Sequence, residues 1–116
     1  MIILQIVFAI TKLKIYKMNI LEIVKWKAKP NVSDKQMIEA VEAMVPDLKN
    51  LEGFKNQTLY KDNDNNWVDV YYWDSIENAH LSNERMSDKK SLQNLLELIE
   101  LESVSMNILE SLQKSE

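Results

Sequence analysis

The chain has 116 residues, the size of one ordinary domain, which can bury a hydrophobic core without disulfides or metals. Its 14 lysines and arginines against 18 aspartates and glutamates give a net charge of −4, and the basic residues are scattered. Nucleic-acid surfaces need clustered cations, so we expect no nucleic-acid partner. With no cysteine, the chain has no disulfide framework, thiol nucleophile or thiolate metal site, and it fits a reducing cytoplasm.

The N-terminal segment does not have the pattern of a membrane span or a secretory signal. The first ten residues are apolar apart from Gln5, and three lysines follow. A membrane-spanning helix needs about 20 apolar residues, and a signal peptide places its positive charges before the apolar run. Residues 1–17 are either an appended element that packs on the domain or translated sequence upstream of a start at Met18. We favour the second interpretation because the domain pattern begins at Asn19, and we expect no membrane partner.

The first part of the chain predicts a strand followed by a helix. Asn19–Ala28 alternates apolar and polar residues as a half-buried strand does. Ser33 and Gln36 have the spacing of a capping box, which opens a helix. Gly53, the only glycine, follows that helix, and we expect it to have a positive φ. The predicted helix buries one stripe of side chains: Met37, Val41, Met44, Val45 and Leu48.

The middle of the chain predicts a β-hairpin. Phe54–Lys61 and Trp67–Trp73 are strands, joined by a run of aspartate and asparagine that tolerates left-handed backbone geometry. Trp67–Trp73 is apolar on both faces apart from Asp69. A strand without a polar face usually lies between two layers, and in a chain this small one layer can come from a second subunit.

The last part of the chain predicts two helices and a closing strand. Asp74 and Glu77 form a second capping pattern. The helix it opens presents one face, made of Ile76, Ala79, His80, Asn83 and Met86. A further helix has the stripe Leu92, Leu95, Leu96 and Ile99, and Leu101–Leu109 is the closing strand.

The element order β-α-β-β-α-β predicts an α+β, ferredoxin-like fold over residues 18–110, with a tail at 111–116. In this fold a four-stranded antiparallel sheet carries its helices on one face. The opposite face then lacks a cover, and the strand Trp67–Trp73 is apolar on that side too. We therefore predict a homodimer formed by sheet-to-sheet packing.

Several segments occur in an order that is also found in a known protein family: Glu22–Val24, Asn31–Asp34, Pro46–Lys49, Gly53–Phe54, Trp67–Ser75 with Ala79, and Ser103–Met106. Over about residues 19–110 this series resembles the antibiotic-biosynthesis-monooxygenase-like family. The resemblance implies that two sheets pair into a dimeric α/β barrel, with a small-molecule cleft between sheet and helices.

The resemblance also bears on cofactors. Some members of the family oxidise aromatic polyketides with molecular oxygen and neither metal nor flavin, and others degrade haem. The haem-degrading members are recognised by a tryptophan and a histidine inside and after the second long helix. In this chain the corresponding positions lie near Ser82 and Leu92, so we expect no haem and no other cofactor.

His80 and Asp69 are the candidate catalytic residues. His80 is the only histidine, so a metal site would need carboxylates, and we expect no metal. Its position on the helix stripe points it toward the sheet, either as a hydrogen-bonded, partly buried side chain or as a proton-transfer group. Asp69 lies among aromatic residues and must be hydrogen-bonded or paired, because an unpaired buried carboxylate is costly.

The candidate substrate-binding residues are Trp73, Trp26, Asn56 and Tyr71. The tryptophans either pack in the core or grip a flat ligand in the cleft. The predicted function is a cofactor-independent monooxygenase acting on a small aromatic or hydrophobic molecule. The alternative is a non-catalytic binding or structural barrel whose own side chains fill the cleft. A cleft of roughly 300 Å³ or more that reaches Trp73 and His80 would favour ligand binding.

Overall fold

A computed structural model describes residues 20–115, and the predicted extension over residues 1–17 lies outside them. Four strands form one antiparallel sheet in the order β2-β3-β1-β4, with the helices on one face. This confirms the predicted ferredoxin-like fold. The strands are β1 Ile20–Ala28, β2 Phe54–Lys61, β3 Trp67–Trp73 and β4 Ile99–Glu110, and the helices are α1 Asp34–Lys49, α2 Ile76–Met86 and α3 Lys90–Leu96.

The N-terminus of α1 carries the predicted capping box. The backbone N–H of Gln36 donates to Ser33 Oγ at 3.1 Å, and the backbone N–H of Ser33 donates to Gln36 Oε1 at 2.8 Å. Two amides that the helix itself cannot pair are thereby satisfied. The buried stripe of α1 consists of Met37, Val41, Met44 and Leu48, as predicted, whereas Val45, also predicted in the stripe, is only half-buried.

The connection from α1 to β2 turns at Gly53, which has the predicted positive φ of 82°. A side chain at this position would meet the Asp74 carboxylate and the Asn78 amide. Gly53 is therefore required both by its backbone geometry and by the close approach of the start of α2.

The predicted start of α2 was wrong by one residue, and its predicted buried face was right only at Ala79 and Met86. Ser75, not Asp74, is the N-cap, because its Oγ accepts from the backbone N–H of Asn78 at 3.0 Å. Asp74 instead accepts from the Asn78 side chain at 2.9 Å. The predicted stripe placed Ile76 and His80 inward, but both are exposed. The helix is rotated so that it buries Ala79, Ser82 and Met86.

The predicted boundary between the last helix and the last strand was also wrong at Ile99. This residue was expected on the helix stripe, but α3 ends at Leu96 and Ile99 opens β4 opposite Ala28. The backbone N–H of Lys29 donates to Leu98 O at 2.9 Å, which holds the chain beside β1 as β4 begins. Ile99 is 2% exposed. A buried apolar residue fits the end of a helix stripe and the start of a strand equally well, so the sequence pattern alone could not assign it.

Alternation along β3 sends its residues to the two faces of the sheet. Trp67, Asp69, Tyr71 and Trp73 are buried on the side of the helices. Tyr72 lies on the other side of the sheet and is 41% exposed. Leu109 of β4 lies on the same side and is 48% exposed. Among the described residues no element covers that second face.

Candidate functional site

A cavity of about 210 Å³ lies between the sheet and the helices. Most of its wall is apolar and comes from every helix and from β4. The polar groups that reach it belong mainly to the two central strands, Glu22 and Trp26 on β1 and Tyr71 and Trp73 on β3. The apolar part of the wall includes Met44, Leu48, Met86, Leu92, Leu95 and Val104.

Glu22 is the carboxyl group in the wall of this cavity. Its side chain is in the core, and the residue is only 3% exposed. Oε1 accepts from the indole N–H of Trp73 at 3.1 Å, whereas Oε2 has no hydrogen-bond partner among the described residues. Burial raises the pKa of Glu22 from 4.5 to about 7; the Trp73 hydrogen bond lowers it and the negative charge of Asp69 raises it. Near neutral pH the carboxyl group can therefore take or release a proton.

Asp69 is fully buried beside this site, but both of its oxygens are already used. Gln57 Nε2 donates to Oδ1 at 2.5 Å, and the hydroxyl of Tyr71 donates to Oδ2. Burial raises the pKa of Asp69, and these two hydrogen bonds oppose the rise. Asp69 was predicted to need hydrogen-bond partners, and the structure supplies two.

Tyr71 is held as a neutral hydrogen-bond donor. Burial raises its pKa well above 10.0, and the charge of Asp69, the hydrogen bond to it and the charge of Glu22 raise it further. The ring of Tyr71 stacks on that of Trp73 with centroids 6.5 Å apart, and Phe54 meets Trp73 edge-on at 5.6 Å. The aromatic wall of the cavity is thus fixed by packing as well as by hydrogen bonds.

Trp26 closes the same side of the cavity at the other end of β1. The residue is 2% exposed, and its indole N–H has no acceptor among the described residues. It lies opposite Trp67 of β3 in the sheet. An indole nitrogen can only donate, so pairing this group would need a hydrogen-bond acceptor.

Three of the predicted substrate-binding residues, Trp26, Tyr71 and Trp73, meet at the cavity, whereas Asn56 does not. Asn56 is exposed and borders a groove with Tyr72 on the opposite face of the sheet. The register shifts between Phe54 and Asn56, which brings Gln57 opposite Tyr71 on the helix side. Such a shift moves every following side chain to the other face and is not readable from sequence.

The predicted catalytic residues are separated. Asp69 lies behind the cavity wall, whereas His80 is exposed and borders a different groove formed by α2 and β4. The cavity reaches Trp73 but not His80, and its volume is below the roughly 300 Å³ that would favour ligand binding. The catalytic roles of Asp69 and His80 stay predictions.

Glu22 was not among the predicted site residues. The sequence does contain a signal for it, since Glu22 alternates with Val24 and Trp26 on the strand that the order of the sheet makes central. The strand register puts Glu22 directly opposite Tyr71, so that both residues line the cavity. A lone carboxylate on the inward face of an inner strand is the pattern to look for.

The described residues offer neither a metal site nor a membrane-spanning helix. Across residues 20–115, histidine, cysteine, aspartate and glutamate side chains form no group of three or more that could hold a metal ion. None of the helices in this part of the chain has the length and apolar character needed to cross a membrane.

No protein-family model and no curated protein matches the sequence. The structure is similar to a protein from Bordetella bronchiseptica assigned as an antibiotic biosynthesis monooxygenase, with a TM-score of 0.69 and 14% identity over 80% of this chain and 96% of that one. SnoaB, a cofactor-independent oxygenase from Streptomyces nogalater, has a TM-score of 0.68 and 11% identity over 83% and 95% of the two chains.

This chain has the fold of the antibiotic biosynthesis monooxygenases. A Nitrosomonas europaea protein assigned to the same group agrees, with a TM-score of 0.66, 13% identity and coverage of 83% and 92%. The resemblance drawn from the sequence is therefore confirmed for the fold. Because one fold hosts many chemistries, the activity has to be argued from the cavity.

Proposed function

We propose that this protein is a monooxygenase that uses no metal or organic cofactor and acts on a small aromatic or otherwise hydrophobic molecule in the cavity between sheet and helices. The observation that carries the proposal is Glu22. It is a buried carboxyl group with a pKa of about 7, and one of its oxygens is unpaired beside an apolar cavity. A base with a pKa near the working pH is well suited to remove a proton from carbon or a hydroxyl group.

The chemistry needs only the base, the substrate and oxygen. Glu22 takes a proton from an activated CH₂ group, or from the hydroxyl group of the hydroxyaromatic tautomer, which gives the same anion. This anion gives one electron to O₂. The substrate radical and superoxide combine into a peroxide anion. Glu22 returns its proton to this peroxide, which then loses water together with the remaining hydrogen of the carbon. The CH₂ group becomes C=O, one oxygen atom enters the product and the other leaves as water, so the substrate supplies all four electrons.

The surrounding side chains have distinct proposed roles in this scheme. The Trp73 N–H holds Glu22 Oε1 and leaves Oε2 for the substrate. The apolar wall excludes water, which strengthens the electrostatic interactions inside the cavity. Tyr71 is positioned by Asp69 and serves as part of the wall.

The test begins with native mass spectrometry of the purified protein to find a ligand that co-purifies. Oxygen uptake is then measured with that ligand and with one-ring and two-ring aromatic ketones that have an acidic CH₂. Glu22→Gln should lower the turnover rate by about 100-fold or more, the usual contribution of a general base. Glu52→Gln, an exposed glutamate, is the matched control. Oxygen uptake by Glu22→Gln at the wild-type rate would contradict the role of Glu22.

A second candidate is a binding protein without chemistry. Its cavity of about 210 Å³ has room for one aromatic ring, and its mainly apolar wall is sufficient for binding without chemistry. Stoichiometric ligand binding with no oxygen uptake, for the co-purified ligand and the whole ketone panel, would select this function.

We also propose that two copies pack through the sheet face opposite the helices. We propose a cytoplasmic location, because a chain without cysteine fits a reducing compartment. Tyr72 and Leu109 expose apolar surface there, and a second copy presents the same surface in an isologous contact. Light scattering should give a dimer, and Tyr72→Lys should give a monomer. Ile38→Lys, at an equally exposed apolar position on α1, should leave the dimer intact. A monomeric wild-type protein at micromolar concentration would overturn the proposal.

A further inference from the structure

We infer that the ligand of the cavity is a single-ring hydroxyaromatic compound that carries a hydrogen-bond acceptor at the opposite end of the ring. The hydroxyl group contacts Glu22 and the acceptor contacts the indole N–H of Trp26. This inference rests on the proposed function, because it names the class of molecule that the same cavity would take.

The size of the cavity sets the number of rings. An apolar protein cavity of about 150 Å³ is large enough to hold benzene, and drug-sized ligands occupy about 300 Å³ or more. At about 210 Å³, the cavity suits one ring with short substituents. Fused multi-ring molecules would have to displace packed side chains such as Leu48 and Leu95.

The polar groups in the wall set the chemistry of the substituents. The Trp73 N–H already donates to Glu22, and the Tyr71 hydroxyl already donates to Asp69. Ser82 Oγ donates to the backbone oxygen of Ala79 at 2.6 Å. Within residues 20–115, two deeply buried side-chain atoms remain without partners, Glu22 Oε2 and the indole nitrogen of Trp26.

These two atoms ask for different groups on the ligand. A carboxyl group can accept from a hydroxyl when it is ionised and donate to it when it is protonated, so a hydroxyl group satisfies Glu22 in either state. The Trp26 N–H can only donate, so it needs an acceptor such as a carbonyl oxygen. Buried polar groups are normally paired, and one ligand with both substituents would pair both atoms.

Their spacing places the two substituents at opposite ends of the ring. Glu22 and Trp26 are four residues apart on β1, on the same face, with Val24 between them. At the usual rise of a strand, their Cα atoms are about 13 Å apart. Because side chains stand roughly perpendicular to a sheet, we place the two polar atoms at different ends of the cavity. A para arrangement on one ring matches this direction.

The test is calorimetric titration of the full chain with three compounds of similar size. 4-Hydroxyacetophenone carries both groups, 4-ethylphenol lacks the acceptor and 4-methylacetophenone lacks the hydroxyl. The first should bind about ten-fold more tightly than either of the others, since each loses one hydrogen bond to a buried group. In Trp26→Phe, the advantage over 4-ethylphenol should disappear while the affinity for 4-ethylphenol is retained.

The wild-type protein alone also decides the matter, should the variant not fold. 2-Acetyl-6-hydroxynaphthalene has the same groups on two rings and should not bind. Equal affinity for all three one-ring compounds, or tighter binding of the naphthalene, would overturn this inference and leave the proposed function standing. If no compound binds, no ligand co-purifies and no oxygen is consumed, the proposed function itself fails.

Discussion

Replacing Glu22 by glutamine should change how the stability of the protein depends on pH. The pKa of Glu22 is about 7 in the folded protein and 4.5 ordinarily, so the folded state binds this proton more tightly than the unfolded chain does. The contribution of Glu22 to stability is fully present below pH 4.5 and is lost as pH rises through about 7. At about 1.4 kcal/mol per pH unit, the loss over this window is about 3 kcal/mol.

The assay is urea unfolding at fixed protein concentration from pH 4 to pH 8.5. Glutamine keeps an oxygen that can accept from Trp73, but it does not titrate. The difference in unfolding free energy between wild type and Glu22→Gln should therefore shift by about 3 kcal/mol in favour of the variant as pH rises. Glu52→Gln, at an exposed position, should run parallel to wild type. A constant difference between wild type and Glu22→Gln across the range would refute the burial of an ionisable Glu22.

Three smaller changes test separate parts of the structure. Trp73→Phe removes the donor that favours the charged form of Glu22, so the pKa of Glu22 should rise further, as read from its carboxyl carbon shift by NMR. Gly53→Ala introduces a side chain at φ 82° against Asp74 and should lower the free energy of unfolding by about 1–3 kcal/mol in urea titrations. Ser75→Ala removes the N-cap of α2 and should cost about 1 kcal/mol, measured in the same way.

Two of these changes have matched controls. Asn65→Gly, at a φ of 62° in the hairpin between β2 and β3, should not destabilise, because glycine is at ease with a positive φ. Ser115→Ala in the exposed tail should be neutral, in contrast to Ser75→Ala. For Trp73→Phe, the position of the Glu22 titration is itself the readout, and a fall in its pKa would contradict the direction of the Trp73 hydrogen bond.

The sequence was sufficient for the elements that local rules determine. The capping box at Ser33, the positive φ of Gly53 and the alternating faces of Trp67–Trp73 all depend on neighbours within a few residues. The rotation of α2 was mispredicted, because helix periodicity fitted a face with Ile76 and His80 as well as the face that is buried. Tertiary packing against the sheet decides between such faces.

The candidate site could be predicted only in part, because it depends on register between strands. Trp26, Tyr71 and Trp73 were found from their residue types, which favour packing and ligand contact alike. Asn56 was misplaced by one position, because the irregularity before it in β2 has no signature in the sequence. Glu22 lies in the cavity wall because the strand register places it opposite Tyr71, and the whole fold sets that register.

The two buried carboxyl groups show how structure separates a structural acid from a candidate functional one. Asp69 is fully enclosed, and each of its oxygens accepts from a neighbouring side chain, so its burial is compensated within the protein. Glu22 is nearly as buried, but one oxygen is unpaired and the residue lines a cavity. Burying an unpaired carboxyl oxygen costs free energy. If Glu22 served only to pack the core, an apolar residue at this position would be more stabilising. The Oε2 atom of Glu22, unpaired among the described residues, is therefore the strongest physical reason to expect a ligand in this cavity.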